Sequence, residues 1–424
     1  MKKALALVLI VGLVLPVIGC TQAAPGELLK SDKNRIESPD VSAGDQALLV
    51  EGNGAFAFEL YRALKGEEGN LFYSPYSISL ALAMTYAGAR GETAEQMAET
   101  LQFMLDQDRL HPAFNWLDSE LASRGEGAQG KDDEGFRLNI ANAIWGQEDY
   151  TFLPDFLDVL AENYGAGLRV MDFMTQAEKS RLAINEWVSD QTEGRIKNLI
   201  PPGAIDAFTR LVLTNAIYFN AAWENRFDKH MTANGPFYLL GGGQVTVPMM
   251  KQTESFGYTE GEGYQAVELL YDGDELSMVI LLPASGTFQA FEEGLQFQQI
   301  SDIISGLQPS AVSLTMPRFE FDSEFSLTDT LTGMGMQDAF SGAADFSGMT
   351  GNRELFISDV IHKAFVSVNE DGTEAAAATA VVMPTAMPPE PTVEVTIDRP
   401  FIFLIRDVDT GTILFVGRVL NPGS

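Results

Sequence analysis

The chain has 424 residues, of which 46% are hydrophobic and 20% charged, and this composition is typical of a globular protein rather than a disordered or collagen-like one. A formal net charge of −32 excludes nucleic-acid binding as a main role, because so acidic a surface repels phosphate groups. With one cysteine and three histidines the chain offers neither an internal disulfide nor a cysteine-rich zinc site, and we expect no metal ion and no cofactor.

The amino terminus predicts a secretory signal over residues 1–19. Lys2 and Lys3 precede an apolar run that ends at Ile18 and is too short to span a membrane. The run leads to Cys20, the only cysteine of the chain, and this ending resembles the signal of bacterial lipoproteins. The resemblance implies that Cys20 becomes the first mature residue and carries lipid. A plain signal peptide with an incidental cysteine is the alternative.

Residues 20–45 lack apolar periodicity and predict a lipidated, flexible tether. Stable anchoring takes more than one lipid chain, and the resemblance to bacterial lipoproteins implies at least two. We therefore expect an exported protein, anchored by lipid at the cell envelope or the extracellular face. The membrane is then a partner only through this N-terminal lipid. Residues 46–422 contain no further linker and no repeat, so we expect a single domain there.

Apolar spacing and capping residues predict four helices, over residues 46–64, 77–87, 93–101 and 178–193. The second follows Ser74 as an N-cap and Pro75 in its first turn. Thr93 and Gln96 form a capping-box pattern at the start of the third, and Gly194 stops the fourth. The first half of the body is therefore predicted to be mainly helical.

The second half is predicted to consist mainly of strands. Residues 211–219 are apolar on both alternating faces, as expected of a central strand that is covered on both sides. Further strand-like runs cover residues 276–282, 312–316, 355–368, 393–397, 401–405 and 413–419. Helices that precede strands, rather than alternating with them, indicate an α+β domain.

Motifs that would suggest an enzyme are weak. The Asp-Thr-Gly triplet at residues 409–411 resembles the active site of aspartic proteases, but that chemistry needs two carboxylates and the chain has no second triplet. A hairpin turn explains the triplet better. The glycine–lysine motif at residues 125–131 is one residue short of a phosphate-binding loop. His362 lies within an apolar strand, which favours a buried, hydrogen-bonded histidine over a general base.

Residues 369–391 join an alanine-rich stretch to a proline-rich one and lie between two apolar strands. An alanine-rich helix or a linker is the ordinary interpretation. The stretch has no apolar stripe for a helix to bury, however, and side chains this small could enter a sheet whose faces are already packed.

At this segment the chain resembles the serpins, protease inhibitors that insert a cleaved loop into their own β-sheet. The sequence Glu-Asp-Gly-Thr-Glu-Ala-Ala-Ala-Ala-Thr at residues 370–379 is close to the serpin hinge. Other segments match the family in order and at its spacing: residues 70–84, 88–93, 214–223, 339–348 and 399–418. The resemblance covers residues 46–422 and implies an α+β serpin fold with three β-sheets, about eight or nine helices and an exposed reactive-centre loop.

The resemblance implies a protease inhibitor and not an enzyme. In serpins a serine protease, and in some cases a cysteine protease, forms an acyl bond to the exposed loop, and the severed loop then inserts as a new strand. The protein is expected to act as a monomer. A serpin-like binding protein whose loop does not insert is the alternative. The hinge residues of this chain would be Glu370, Gly372, Thr373, Glu374, Ala375, Ala376, Ala377, Ala378 and Thr379.

Alternation along a strand divides this hinge into two faces. Thr373, Ala375, Ala377 and Thr379 would point into the core, and each is small enough to enter it. Glu374 would point outward. A charge or a proline among the inward positions would favour the binding alternative, and the sequence has neither there.

The bond to be cleaved is predicted from the serpin pattern. Seventeen positions counted inclusively from Glu370 end on Ala386, which places the bond at Ala386–Met387. Serine proteases usually reject proline directly after the cut, so Thr385–Ala386 is the nearest other candidate. The stretch from Ala386 to Pro400 is a few residues longer than is common in the family, which leaves the register open by one or two residues. A small residue before the cut suits an elastase-like or subtilisin-like pocket.

The resemblance also assigns residues to the place where the sheet opens. The tryptophan near the point of insertion is Trp223, and the base that pairs with Glu370 is Arg318. The polar group beneath the central strands consists of Ser74, Ser77, Asn215 and His362. Fold stability is the alternative role for all of them.

Overall fold

The computed structural model describes residues 26–125, 137–373 and 393–423. These ranges contain ten α-helices: α1 (Ala43–Leu64), α2 (Pro75–Tyr86), α3 (Gly91–Thr100), α4 (Gln107–Ala122), α5 (Pro154–Tyr164), α6 (Phe173–Gln191), α7 (Phe288–Glu293), α8 (Phe297–Ser305), α9 (Thr328–Met334) and α10 (Ser347–Thr350). None of the helices in these ranges combines the length and the apolar character needed to cross a bilayer. The predicted signal, Cys20, most of the glycine–lysine motif and the loop from Glu374 to the candidate cleavage sites lie outside the described residues.

The strands of the same ranges belong to two sheets. In chain order they are β1 (Glu27–Leu29), β2 (Leu71–Tyr73), β3 (Arg137–Gln147), β4 (Leu168–Met171), β5 (Leu211–Ala222), β6 (Ala233–Tyr238), β7 (Gln244–Gly261), β8 (Tyr264–Leu270), β9 (Leu276–Pro283), β10 (Gln308–Pro317), β11 (Phe319–Ser326), β12 (Asp359–Asn369), β13 (Gly372–Thr373), β14 (Val393–Thr396), β15 (Phe401–Asp407) and β16 (Ile413–Val419).

The seven-stranded sheet has the order β1-β4-β3-β5-β13-β12-β11. Its centre is β5, whose 12 residues are all buried, as the two-sided apolar pattern predicts. β5 pairs in parallel with β12 from Val212–Asp359 to Tyr218–Phe365, and we call this pairing the seam. The short strand β13 lies between the same two strands at one end of the seam.

The nine-stranded sheet explains why the structure has two sheets where three are expected. Its order is β14-β10-β7-β8-β9-β15-β16-β2, with β6 attached to β7. β7 is 18 residues long and pairs with β6, β8 and β10 along its length, so it joins what would otherwise be two sheets. The fold is α+β, and its ten described helices exceed the expected eight or nine by short ones such as α10.

Two hydrophobic cores enclose the seven-stranded sheet. The larger core includes Phe56 and Leu60 of α1, the predicted apolar face of that helix, together with most of the nine-stranded sheet. A smaller core lies under α6 and includes Ile184 and Val188 of that helix. It also takes in Val212 of β5 and Ile361 of β12, so this second core covers the seam from the other face.

Most predicted elements are present, and the differences have physical causes. α2 has Ser74 as its N-cap and Pro75 at its first position, as predicted. The capping box of α3 is wrong, because the helix begins at Gly91 and Thr93 and Gln96 instead accept hydrogen bonds from the backbone of residues 345 and 338. The predicted strand over residues 355–368 begins only at β12. The Asp-Thr-Gly triplet lies in the turn between β15 and β16.

The tether prediction is wrong for residues 27–45. β1 pairs with β4 and adds an edge strand to the seven-stranded sheet. Lys33 forms ion pairs with Asp158 and Glu162 at 3.1 and 2.9 Å, and Arg35 donates to Asn115 Oδ1 at 2.7 Å. These contacts are polar and lie far apart in the sequence, so a search for apolar periodicity does not detect them.

Candidate functional site: the hinge and the seam

The hinge begins where β12 ends at Asn369. The chain turns through Glu370 and Asp371, and Gly372 and Thr373 then return between β12 and β5 as β13. β12 and β5 run parallel to each other in the seam, and β13 runs antiparallel to both of them. The hinge therefore already occupies the first two positions of an additional central strand.

Gly372 makes this return possible. Its φ angle is +153°, and a β-carbon there would lie 2.1 Å from the carbonyl oxygen of Ala221 and 2.7 Å from the Cα of Ala222. Both close atoms belong to the backbone of β5 and cannot move aside. The position therefore accepts only glycine.

Thr373 points inward, as the alternation of the hinge predicts. Its side chain is 1% exposed, and its hydroxyl forms a hydrogen bond of 2.8 Å with the hydroxyl of Tyr271. The ring of Tyr271 stacks on Trp223 at 4.6 Å between centroids and meets the ring of Phe219 edge-on at 5.2 Å. Burial holds the pKa of Tyr271 well above its usual range, so the phenol stays protonated. Thr373 is the last described residue before the loop.

The Glu370 carboxylate is held by two partners. Arg318 Nε donates to Glu370 Oε1 at 2.8 Å and its Nη2 contacts the same oxygen, while the Thr232 hydroxyl also donates to that oxygen. The Glu370 side chain is 2% exposed, whereas that of Arg318 is 41% exposed. The predicted acid–base pair is therefore present, and its acid is far more deeply buried than its base.

The backbone of the turn is held by the end of β5. The amide of Trp223 donates to the carbonyl of Asp371 at 3.0 Å, and its indole Nε1 donates to the carbonyl of Asn369 at 2.9 Å. Lys229 adds an ion pair of 2.8 Å to the Asp371 carboxylate. Three of these residues are not predicted from the sequence, because no local motif distinguishes them and their partners lie 102 or more residues away: Lys229, Tyr271 and Thr232.

A polar cluster crosses the seam below the hinge. His362 of β12 and Asn215 of β5 are register partners, and His362 Nδ1 contacts the Asn215 side-chain oxygen. Asn215 Nδ2 donates at 2.6 Å both to Ser77 Oγ of α2 and to Asn142 Oδ1 of β3. His362 Nε2 accepts from the backbone amide of Ser74 at 3.3 Å. Asn142 is a further member of the cluster that the sequence does not predict.

The hydrogen-bond directions in this cluster require a neutral histidine. Because Nε2 accepts from Ser74, the ring proton is assigned to Nδ1, which donates to Asn215. Burial lowers the pKa of His362 to about 3, so the ring is uncharged at neutral pH. A second ring proton would face the Ser74 amide proton, which is also a donor.

The predicted sheet-opening residues therefore form two groups along one seam. The upper group surrounds the hinge and consists of Trp223, Arg318 and Glu370 with Gly372 and Thr373. The lower group crosses the seam and consists of Ser74, Ser77, Asn215 and His362. Separating β5 from β12 would break the His362–Asn215 contact directly.

This architecture defines an α+β protein with a central sheet that begins to accept a strand from its own hinge. The family model for serpins, described as serine protease inhibitors, matches residues 51–422. The chain belongs to the serpin family.

Relatives agree over nearly the whole chain. The human leukocyte elastase inhibitor is 41% identical over 386 residues, which cover 88% of this chain and 99% of the inhibitor. A serpin-like protein of Thermococcus kodakarensis is 42% identical over 382 residues, which cover 89% of this chain and 87% of that protein. Among solved structures, tengpin, a thermophilic serpin in its native state, gives a TM-score of 0.81 at 29% identity and covers 93% of this chain and 97% of its own.

The neutral buried histidine predicts an acid-sensitive stability. The folded pKa of His362 is about 3 and the unfolded value is 6.5, so between these pH values only the unfolded chain binds the proton. His362 alone should therefore lower the free energy of unfolding by about 1.4 kcal/mol for each pH unit between 6.5 and about 3. His362→Gln should show a shallower decline between pH 7 and 5 in thermal unfolding followed by circular dichroism.

His111 supplies the comparison for this experiment. Its pKa is lowered to about 4 by burial and by the charge of Arg90, so it should contribute a similar slope over most of the same pH range. His111→Gln should therefore also flatten the decline, and the double variant should flatten it further. A His362→Gln variant with the full wild-type slope would show that the histidine is not buried as a neutral ring.

Proposed function

We propose that this protein is an inhibitory serpin, a suicide-substrate inhibitor of serine endopeptidases. The observation that carries the proposal is β13, two hinge residues that already lie between β5 and β12. In the proposed reaction the protease serine oxygen bonds to the carbonyl carbon of Ala386, and the amine of Met387 leaves with the serine proton. The freed loop then extends β13 down the seam as a new strand, and the protein acts as a monomer.

In the proposed insertion each loop residue would continue the register of β13. Thr373 is opposite Val368 of β12 and Ala221 of β5, so each following residue moves one position back along both strands. Ala376 would reach Phe365 and Tyr218, the first pair of the seam. Insertion therefore breaks its first pairing between β5 and β12 only three residues beyond Thr373.

The same register explains why the residues at the inward positions would have to be small. Ala375 would lie between Val366 and Phe219, each 1% exposed, where the interior leaves no room for a long side chain. Thr379 would lie between His362 and Asn215, the pair that insertion separates. Its hydroxyl can accept from the imidazole and donate to the amide oxygen, so both groups would regain a partner.

The energy for this rearrangement comes from the additional strand. The thirteen steps from Thr373 to Ala386 at ~3.3 Å each span roughly 43 Å. About a dozen new hydrogen bonds at ~0.5–1.5 kcal/mol each supply ~10 kcal/mol, which is comparable with the stability of a whole domain. The uncut form is then a kinetic trap, stable because the seam is closed rather than because it is the lowest state.

The residue before the proposed cut selects the protease. Ala386, or Thr385 one position earlier, suits a shallow elastase-like or subtilisin-like pocket, and cysteine proteases are a secondary possibility. The identity to a leukocyte elastase inhibitor supports the same class of target. A serpin-like binding protein with a loop that does not insert is the second candidate.

Incubation with a pancreatic elastase, subtilisin and trypsin tests the proposal. We expect a covalent band of summed mass on a denaturing gel with elastase or subtilisin, because the ester survives once the protease is trapped. Cleavage without that band would indicate the non-inhibitory alternative.

Nicked protein should also melt far above intact protein in a thermal scan, since insertion completes the central sheet.

A matched pair of arginine variants tests the two faces of the inserted strand. Ala375→Arg should convert the inhibitor into a substrate, because Arg would have to enter between Val366 and Phe219. Glu374→Arg is the control. Position 374 is next to position 375, so its side chain would point to the opposite face of the strand, and it already carries a charge. We expect the ratio of cleaved protein to covalent complex to rise at least about tenfold in Ala375→Arg only. Equal ratios in the two variants would contradict the register.

We further propose that the protein is exported and anchored by lipid on Cys20. The apolar run before Cys20 and its place as the only cysteine support this proposal. In a bacterial host the full chain should partition into the detergent phase of a Triton X-114 extract, and Cys20→Ser should move it to the aqueous phase. Full chain and Cys20→Ser both in the aqueous phase would favour a plain signal peptide.

A further inference from the structure

Tyr271 contacts the side chain of Thr373, the hinge residue at which the new strand would begin to grow. Trp223 binds the carbonyls of Asn369 and Asp371, and any residue at those positions would present the same carbonyls. Tyr271 instead bonds the hydroxyl of Thr373 at 2.8 Å. The contact therefore depends on which side chain stands at position 373.

The Tyr271 ring is held by contacts that do not involve the hinge. Its amide donates to the Leu276 carbonyl at 2.9 Å across the turn between β8 and β9, and its backbone bridges to Trp223. Stacking on Trp223 and edge contact with Phe219 determine the plane of the ring. Tyr271 is 1% exposed with the hinge docked, and its hydroxyl loses the Thr373 partner when the hinge leaves. An unpaired buried hydroxyl is unfavourable, and this favours the docked hinge.

We propose that Tyr271 is a positioning residue that docks the Thr373 side chain and thereby sets how often a protease is trapped rather than released. This inference rests on the proposed inhibitory function. After the acyl bond forms, insertion competes with water, which cleaves the ester to free the protease serine and leave a carboxylate on Ala386. A hinge that is already docked needs no nucleation of the new strand, so insertion starts sooner and wins more often.

The test compares variants that remove only a hydroxyl. Tyr271→Phe and Thr373→Val each delete one partner of the bond with little change of shape, and Thr373→Ser keeps the bond. We expect the first two to raise the number of inhibitor molecules consumed for each elastase inactivated by about three- to tenfold, and Thr373→Ser to resemble wild type. The double variant should be no worse than either single one, because both remove the same bond.

Tyr73→Phe is the matched control for a merely structural effect. The Tyr73 hydroxyl is buried and donates to the Ala57 carbonyl at 2.6 Å, in the core between β2 and α1. Its loss should lower the melting temperature about as much as Tyr271→Phe does, with no change in the consumption of inhibitor. If Tyr73→Phe and Tyr271→Phe raise the consumption equally, Tyr271 acts only through stability and the proposal is overturned.

A second measurement separates this proposal from the inhibitory function itself. Amide hydrogen exchange of the hinge should accelerate in Tyr271→Phe and Thr373→Val without any protease present, because docking precedes the reaction. Unchanged hinge exchange in both variants, or more efficient inhibition by Tyr271→Phe, would overturn the docking role. A wild-type protein that is cleaved without a covalent complex would overturn the trapping role and the proposed function together, whereas altered exchange would still support docking.

Discussion

The structure depends on one strand that has two alternative neighbours. β5 is buried along its whole length, and it pairs with β12 in the seam but with β13 above it. A fully buried strand cannot leave its backbone groups unpaired, so opening the seam is costly unless another strand replaces β12 at once. In the proposed reaction the chain would provide that strand from its own hinge. The closed seam would therefore be both the main barrier to the proposed rearrangement and the template for it.

The lower group of the seam closes it with hydrogen bonds rather than with charges. His362, Asn215 and Ser77 form a neutral network in which His362 donates to Asn215 and Asn215 donates to Ser77. Such a network specifies the register of β5 against β12, because a shift by one residue would leave buried polar groups unpaired. It contains no ion pair, so its separation does not leave a buried charge without a partner, which would cost several kcal/mol.

The sequence predicted the elements with strong local signals. Ser74 and Pro75 begin α2, the apolar run of β5 is a buried central strand, and the hinge pattern indicated Gly372 and Thr373 through the family resemblance. β3 and β7 were not predicted. Partly exposed and polar residues recur along much of both strands, so they lack a continuous apolar run.

The other residues of the site could not be predicted from the sequence, because they are defined by contacts between distant segments. Tyr271 and Thr373 are separated by 102 positions, and Asn142 and Ser77 by 65, and neither pair has a spacing that a helix or a strand would impose. The tether prediction failed for the same reason. A search for apolar periodicity cannot detect a segment held by ion pairs of Lys33 and by an edge pairing with β4.

The contacts of the hinge are graded from its outer to its inner end, and this gradient determines the order in which they can yield. Lys229 is 43% exposed and its partner Asp371 is 12% exposed, so water screens this ion pair, whereas Glu370, the partner of Arg318, is only 2% exposed and would be left buried without its cation. The contacts of Gly372 and Thr373 are buried, and no solvent can replace them. Fluctuations of the turn should therefore release the Lys229–Asp371 pair before the buried contacts of Glu370, Gly372 and Thr373. In the proposed reaction a hinge organised in this way would move as a protease pulls the loop, while β13 remains between β5 and β12. This is the condition for the strand to grow downward instead of leaving the sheet.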